Sequence, residues 1–72
     1  MFILKNKKGG VIERTSYEEE KGNIYYNNKK VGTFELENDS ALGSYYLYTI
    51  DDGSQYHDHY FEDKDIIKAC NL

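Results

Sequence analysis

The sequence predicts a mainly β, α+β fold in which an antiparallel meander of five or six strands precedes one C-terminal helix. Two runs rich in tyrosine and β-branched residues, Ser44–Ile50 and Gln55–Phe61, flank an Asp-Gly pair, a strong hairpin signal. A third run, Val31–Glu37, alternates apolar and polar side chains as a strand does. The clearest helical pattern follows Phe61. An SH3-like half barrel and an open sheet with one helix both fit this order of elements.

The N-terminal part predicts two strands joined by a turn. Phe2–Lys5 is expected to be a short edge strand, and residues 6–10 to form a turn whose glycines allow positive φ. Residues 11–17 alternate loosely and favour a second strand. The alternative is a short helical turn opened by Ser16 and stopped by Gly22.

Two further strands are expected in the middle of the chain, residues 24–27 and 31–37, with a turn at residues 27–30 between them. In the second of these strands Phe34 and Leu36 should face the core, and the side chains that alternate with them should face water. Gly32 interrupts that strand, which predicts a bulge or a close approach by another part of the chain. Residues 38–43 are a predicted loop, with Ala41 and Leu42 packed back onto the core.

The pairing of the last two strands depends on the length of the loop at Asp52-Gly53. A two-residue loop would place these pairs opposite each other: Ile50–Gln55, Tyr48–His57, Tyr46–His59 and Ser44–Phe61 on one face, and Thr49–Tyr56, Leu47–Asp58 and Tyr45–Tyr60 on the other. A change of one residue in the loop would shift every pair. Neither face is cleanly apolar, as expected of strands that pack on one side and meet a partner on the other.

Residues 62–72 predict the helix. Asp63 is the expected cap, acidic residues occupy the first turn where the helix dipole favours them, and Lys68 comes late. The apolar stripe that should close over the sheet comprises Ile66, Ile67, Ala69 and Cys70.

The composition limits the size of the core. The chain has 72 residues, of which 16 are Ile, Leu, Val or Phe and eight are Tyr. One domain of this length, residues 1–72, buries only about 60% of its surface. Tyrosine rings must therefore supply part of the core, and a homodimer would be another source of buried area.

The charge is divided unequally along the chain. Residues 1–30 carry seven basic and four acidic side chains, a net of +3, whereas residues 31–72 carry two basic and nine acidic ones, a net of −7. If the two parts do not interleave, the surface is polarised, and its acidic side should repel nucleic acid and attract basic proteins. The apolar start is too short for a signal peptide or a membrane span, and a single cysteine fits a reducing compartment, so we expect a cytoplasmic protein without a membrane partner.

No motif predicts catalysis or a cofactor, and we expect a non-enzyme. His57 and His59 lie on one face of a straight strand and could share a divalent metal, but Asp58 would point to the other face, leaving the site without a third ligand. Asp51 and Asp52 are typical of a turn, and Cys70 of a small core residue. No metal ligands are therefore assigned.

The segment Asp51-Asp52-Gly53-Ser54-Gln55-Tyr56-His57-Asp58-His59, followed by Asp65-Ile66-Ile67-Lys68, resembles the acidic hairpin and short helix of a small phage-encoded inhibitor of uracil-DNA glycosylase. The chain is similar more broadly to short acidic phage proteins, including anti-CRISPR proteins, that occupy a DNA-binding surface by mimicking phosphate charge. The resemblance implies phosphate surrogates and aromatic anchors. The phosphate surrogates would be Asp51, Asp52, Asp58, Glu62, Asp63 and Asp65. The aromatic anchors would be Tyr46, Tyr48, Tyr56 and Tyr60.

Three hypotheses about function follow. The first is an acidic protein-binding module, a phage or mobile-element inhibitor that docks on a basic nucleic-acid-binding host protein. The second is a structural or accessory homo-oligomer that uses its tyrosine-rich sheet face. The third is a metal or small-ligand domain that uses His57 and His59.

Overall fold

The computed structural model describes residues 1–72 and confirms the predicted mainly β fold with one C-terminal helix. The elements are β1 (Phe2–Asn6), β2 (Val11–Ile12), β3 (Lys21–Tyr26), β4 (Lys29–Asp39), β5 (Gly43–Ile50), β6 (Gln55–His57), a 3-10 helix (Asp58–Tyr60) and α1 (Asp63–Cys70). The six strands form one open antiparallel sheet in the order β2-β1-β3-β4-β5-β6. No helix is long and apolar enough to cross a membrane.

The core lies between one face of this sheet and the segment that contains α1. Phe61 joins the two layers, because its ring centroid is 4.8 Å from that of Phe2 in β1 and 4.7 Å from that of Tyr48 in β5. Burying an apolar side chain of this kind stabilises the fold by roughly 1.5–3 kcal/mol. The ten buried core residues are Phe2, Leu4, Ile24, Val31, Phe34, Tyr46, Tyr48, Ile50, Phe61 and Ile66.

The prediction of which β4 side chains face the core and which face water is confirmed. Phe34 is fully buried, Leu36 packs half-buried against the core, and Thr33 and Glu35 are exposed. The bulge predicted at Gly32 is also confirmed, because the β3–β4 register shifts beside it, where Ile24 pairs with Gly32 and the next residue pairs with Lys30. A Cβ at Gly32 would lie 2.3 Å from the carbonyl oxygen of Thr49, so glycine lets β5 approach closely.

The predicted register of the β5–β6 hairpin is wrong by one residue. The pairs are Thr49 with Gln55, Tyr48 with Tyr56 and Leu47 with His57. Ile50 donates its amide to Ser54 at 2.9 Å, and Gly53 alone in the loop has a positive φ, of 92°. The loop therefore has three residues, the hairpin type that ends in a left-handed glycine. The turn with two left-handed residues is Asn27-Asn28, with φ of 51° and 66°.

Strand β6 is also shorter than predicted. It ends at His57, and residues 58–60 turn into a 3-10 helix instead of continuing the ladder to Phe61. The predicted pairs of Ser44, Tyr45, Tyr46 and Leu47 with residues 58–61 therefore do not form. This turn carries Phe61 into the core, where it is 1% exposed.

Two expectations for the N-terminal part are wrong. Strand β1 is internal, since β2 and β3 pair with it on either side. Strand β2 stops at Ile12, and residues 13–17 form neither the expected strand nor a helix. Their path is fixed by long-range contacts, because Arg14 donates hydrogen bonds to the carbonyl oxygens of Asp58 and Phe61.

Helix α1 is confirmed, with corrections at the cap and at one residue of the apolar stripe, Ile67. Glu62 is the N-cap, and Asp65 accepts its amide hydrogen at 2.9 Å, while Asp63 instead accepts that of Phe2 at 2.9 Å. Ile66 is buried but Ile67 is 39% exposed and lies outside the core. The expectation that Ala41 and Leu42 pack onto the core is wrong as well. Both are exposed because Asp39 accepts their amides at 2.7 and 3.0 Å and holds them in a tight surface turn.

Candidate functional site

The tyrosines predicted to anchor a partner lie in three different environments. Tyr46 and Tyr48 are fully buried, so their assignment as exposed anchors is wrong. They face inward because they pair with Leu36 and Phe34 on the core face of β4, and they replace the aliphatic side chains that the chain lacks. Tyr56 is half-buried against Phe61, with the ring centroids 5.2 Å apart. Tyr60 is 80% exposed and is the one aromatic side chain left largely in solvent.

Apart from Asp58, the predicted acidic residues fall into two groups, in which Asp51, Asp52 and Glu62 are exposed and Asp63 and Asp65 are half-buried. Asp51 and Asp52 lie in the β5–β6 turn, and Asp52 accepts hydrogen bonds from the amide and hydroxyl of Ser54 at 2.9 and 2.5 Å. These uncharged donors lower the pKa of Asp52. The second group, at the start of α1, comprises Glu62, Asp63 and Asp65.

Few of these carboxylates are neutralised by a cation. Glu62 pairs with Lys64 at 3.1 Å, and Asp63 pairs with the N-terminal ammonium group at 3.5 Å. These are the two ion pairs that the chain forms without histidine, and both lie at the surface. Such pairs stabilise a fold by at most about 1 kcal/mol. The turn carboxylates Asp51 and Asp52 have no cationic partner.

The two differently charged parts of the chain do not interleave in the sheet. The strand order places β2, β1 and β3 on one side and β4, β5 and β6 on the other. Lys29 and Lys30, the last basic residues of the N-terminal part, begin β4 at the boundary. The C-terminal segment crosses back toward the N-terminal part, where Asp63 accepts the amide of Phe2 and Arg14 binds the carbonyls of Asp58 and Phe61. The side of the sheet formed by β4, β5 and β6 is acidic, because residues 31–57 carry five acidic side chains and no lysine or arginine.

Asp58 does not belong to the exposed acidic surface. It is 5% exposed, and its Oδ2 accepts a hydrogen bond of 2.9 Å from the hydroxyl of Tyr17. Burial and this hydrogen bond raise the pKa of Tyr17. The other oxygen, Oδ1, is buried without a hydrogen-bond partner. The assignment of Asp58 as a phosphate surrogate is therefore wrong, because the 3-10 helix turns its carboxylate inward.

Both histidines lie against this carboxylate. His57 Nδ1 is 3.4 Å from Asp58 Oδ1, and His59 Nδ1 is 3.9 Å from the same oxygen. The His57 ring stacks between those of Tyr45 and His59, with centroids 4.2 and 4.8 Å away. One ligand atom from each of His57, Asp58 and His59 lies within 4.8 Å of the others. The expectation that Asp58 points away from the histidines is wrong, since the strand ends before it.

Sequence reasoning missed two residues that build this region, Arg14 and Tyr17. The Arg14 guanidinium lies 4.7 Å from the ring centroid of Phe2 and binds two carbonyl groups of the C-terminal segment. One signal was present, since Arg14 is the only arginine beside eight lysines, and a guanidinium suits several acceptors at once. Nothing in the local pattern marks Tyr17, whose left-handed φ of 52° turns its ring toward Tyr46, 5.1 Å away between centroids.

The surface offers no apolar pocket for a small molecule. The largest cleft, of about 510 Å³, has no hydrophobic residue in its lining, which consists of Asn6, Lys7, Lys8, Glu18, Glu19, Glu20 and Lys21. Small-molecule sites are usually lined mainly by apolar side chains.

Comparison with protein-family models found no match, and neither did comparison with curated proteins or with solved structures.

Proposed function

We propose that this protein is a binding module rather than an enzyme and that its acidic side docks on a basic surface of a nucleic-acid-binding protein. The observation that carries the proposal is the side of the sheet formed by β4, β5 and β6, where residues 31–57 carry five acidic side chains and no lysine or arginine. An acidic surface of this kind accelerates encounter with a basic partner and repels nucleic acid.

The docking surface comprises the exposed turn carboxylates, the start of α1 and the one exposed ring. Tyr60 supplies apolar area and a hydroxyl, a combination favoured at protein interfaces. Tyr56 contributes only its half-exposed edge. The surface residues are Asp51, Asp52, Tyr56, Tyr60, Glu62, Asp63 and Asp65.

The class of protein that this proposal describes is an inhibitor encoded by a phage or mobile element, acting in the host cytoplasm. Its carboxylates would take the place of DNA phosphates on the target, so the target could not hold DNA at the same time. DNA mimicry of this kind requires no cofactor and no direct contact between this protein and nucleic acid.

The test uses two variants that each remove three exposed negative charges. Asp51→Asn/Asp52→Asn/Glu62→Gln changes the proposed surface, and Glu13→Gln/Glu18→Gln/Glu20→Gln changes exposed acids of the N-terminal part. Asparagine keeps the turn geometry of aspartate. The original chain and each variant are immobilised and incubated with those bacterial proteins that bind to heparin. The captured proteins are then eluted with duplex DNA.

We expect DNA to release the captured protein and binding to fall steeply between about 50 mM and about 500 mM salt, because exposed charges are screened. The first variant should bind at least about tenfold more weakly, and the second should bind as the original chain does. Equal losses in both variants, or capture that DNA and salt do not disturb, would contradict the proposal. A salt-sensitive homodimer with no heterologous partner would favour the structural, self-associating alternative.

A further inference from the structure

We propose that His57, Asp58 and His59 form a binding site, within one chain and next to Tyr60 of the docking surface, for a divalent transition metal of the zinc class. The site exists because β6 ends at His57 and the 3-10 helix brings the next carboxylate between the two imidazoles.

The distances match the ligand shell of a small tetrahedral ion. Bonds of about 2.0–2.1 Å to nitrogen and oxygen place ligand atoms about 3.4 Å apart. His57 Nδ1 and Asp58 Oδ1 already have this separation, at 3.4 Å, and His59 Nδ1 is 3.9 Å from the same oxygen. The three ligand atoms lie within 4.8 Å of one another, so the His59 ring, whose side chain is 65% exposed, must move closer to His57 when the ion binds.

The buried carboxylate is an independent indication of a ligand. Asp58 is 5% exposed, and its Oδ1 faces both imidazoles with no hydrogen-bond partner. A buried charged oxygen without a donor is costly, and a cation would remove that cost. Tyr17 holds the other oxygen at 2.9 Å, the kind of outer contact that fixes the orientation of a metal-binding carboxylate.

The tautomer of His57 also suits a metal. The amide of His59 donates to His57 Nδ1 at 3.2 Å, so this nitrogen carries a lone pair and the proton of the neutral ring is on Nε2, which is buried without a hydrogen-bond partner. A metal would replace the amide as the partner of that lone pair, and water can hydrate the exposed amide. Imidazole nitrogens with one carboxylate favour zinc, copper or nickel over magnesium or calcium. Three protein ligands leave a fourth position for water.

The test is titration of the full chain with Zn²⁺ at about pH 7.5, where free imidazole is neutral. Calorimetry gives the stoichiometry, and nitrogen-detected NMR resolves the ligating nitrogens, because the chain has only two histidines. We expect one ion per chain, with shifts at Nδ1 of both His57 and His59, and no comparable response to Mg²⁺.

Three variants test whether the bound ion uses the proposed ligands. His59→Asn, at an exposed position, should weaken Zn²⁺ binding by more than about tenfold, and Tyr17→Phe should weaken it by about tenfold without changing the stoichiometry. Cys70→Ser removes the only thiol of the chain and should change nothing. The proposal is overturned if Zn²⁺ does not bind saturably at a roughly tenfold excess. It is also overturned if the His59→Asn variant binds Zn²⁺ as tightly as the original chain does, or if one ion binds per two chains and bridges a dimer.

Discussion

At the scale of single residues, the tyrosines show how one residue type serves two purposes in a small chain. Tyr46 and Tyr48 fill the core with large rings, whereas Tyr60 remains in solvent. Burial has a cost for Tyr48, because its hydroxyl is enclosed without a hydrogen-bond partner. The loss of hydration raises the pKa of Tyr48 to about 12, although the nearby guanidinium of Arg14 opposes the rise through its positive charge and as a hydrogen-bond donor.

The pKa of Tyr48 predicts how stability changes in alkali. In the unfolded chain this group ionises near 10, whereas in the folded chain it stays neutral until about 12. The unfolded state therefore loses its proton first, and stability that is fully present below pH 10 is lost as the pH rises toward 12.

Tyr48→Phe should remove that part of the alkaline loss and, by deleting an unpaired buried hydroxyl, raise the free energy of unfolding at neutral pH by about 1 kcal/mol. Urea unfolding of the variant at neutral and alkaline pH measures both effects. Tyr60→Phe, at an exposed position, is the control and should change neither. A Tyr48→Phe variant that is less stable than the original chain would show that the hydroxyl has a partner in solution.

At the scale of elements, helix α1 packs against the core with only one of its faces. Ile66 is fully buried, whereas the adjacent Ile67 is 39% exposed. The helix has only eight residues, too few to be stable alone, so its stability depends on that buried contact.

The two isoleucines give a matched test of this packing. Ile66→Ala should lower the free energy of unfolding by about 2–5 kcal/mol, because it removes core contacts and leaves a cavity. Ile67→Ala should cost less than about 1 kcal/mol, since its site is partly in water. Urea unfolding followed by circular dichroism measures both, and similar losses in the two variants would contradict the placement of the helix.

The sheet depends on two glycines that sit where strands approach closely. A Cβ at Gly22 would lie 2.3 Å from the carbonyl oxygen of Lys5 and 2.5 Å from the Phe34 ring, and Gly32 faces Thr49 at the same short range. Neither glycine has a positive φ, so the constraint is space rather than backbone conformation.

Gly22→Ala and Gly32→Ala should each lower the free energy of unfolding by more than about 3 kcal/mol, because the strands must separate. Gly10→Ala is the control, since the nearest atom to a new Cβ would belong to the Asn6 side chain at 3.2 Å and not to backbone. We expect the control to change stability by less than about 1 kcal/mol. Thermal melting of the three variants gives the comparison, and a stable Gly22→Ala variant would mean that Phe34 can move aside.

At the scale of the whole molecule, one core and one sheet must hold the chain together without a disulfide. Only ten hydrophobic residues are buried, and the single cysteine is free. The core includes residues from β1, β3, β4, β5 and the C-terminal segment, so none of these parts can be lost without exposing the rest.

This arrangement predicts one cooperative unfolding transition with a free energy of about 3–5 kcal/mol, the range for a domain of this size without a staple. Tyrosine fluorescence reports the packed rings, and far-ultraviolet circular dichroism reports the sheet, so the two urea curves should coincide. Separate midpoints would show that the C-terminal segment detaches before the sheet unfolds.

The sequence alone was sufficient for the features that depend on neighbouring residues. Alternation placed Phe34 inside and Thr33 outside, glycine marked the bulge at Gly32, and the acidic start of residues 62–72 marked the helix. These features were predictable because strand period, turn chemistry and helix dipole act over a few residues.

Only the tertiary structure decided which side of the hairpin is buried and where β6 ends. One extra loop residue shifted the cross-strand register by one residue, and contacts of Arg14 and Tyr17 with residues more than forty positions away fixed the turn at Asp58. Hydrogen bonds and packing between such distant residues have no local sequence period. For that physical reason the strands and the helix were predictable, whereas the environment of Asp58, which the proposed metal site requires, was not.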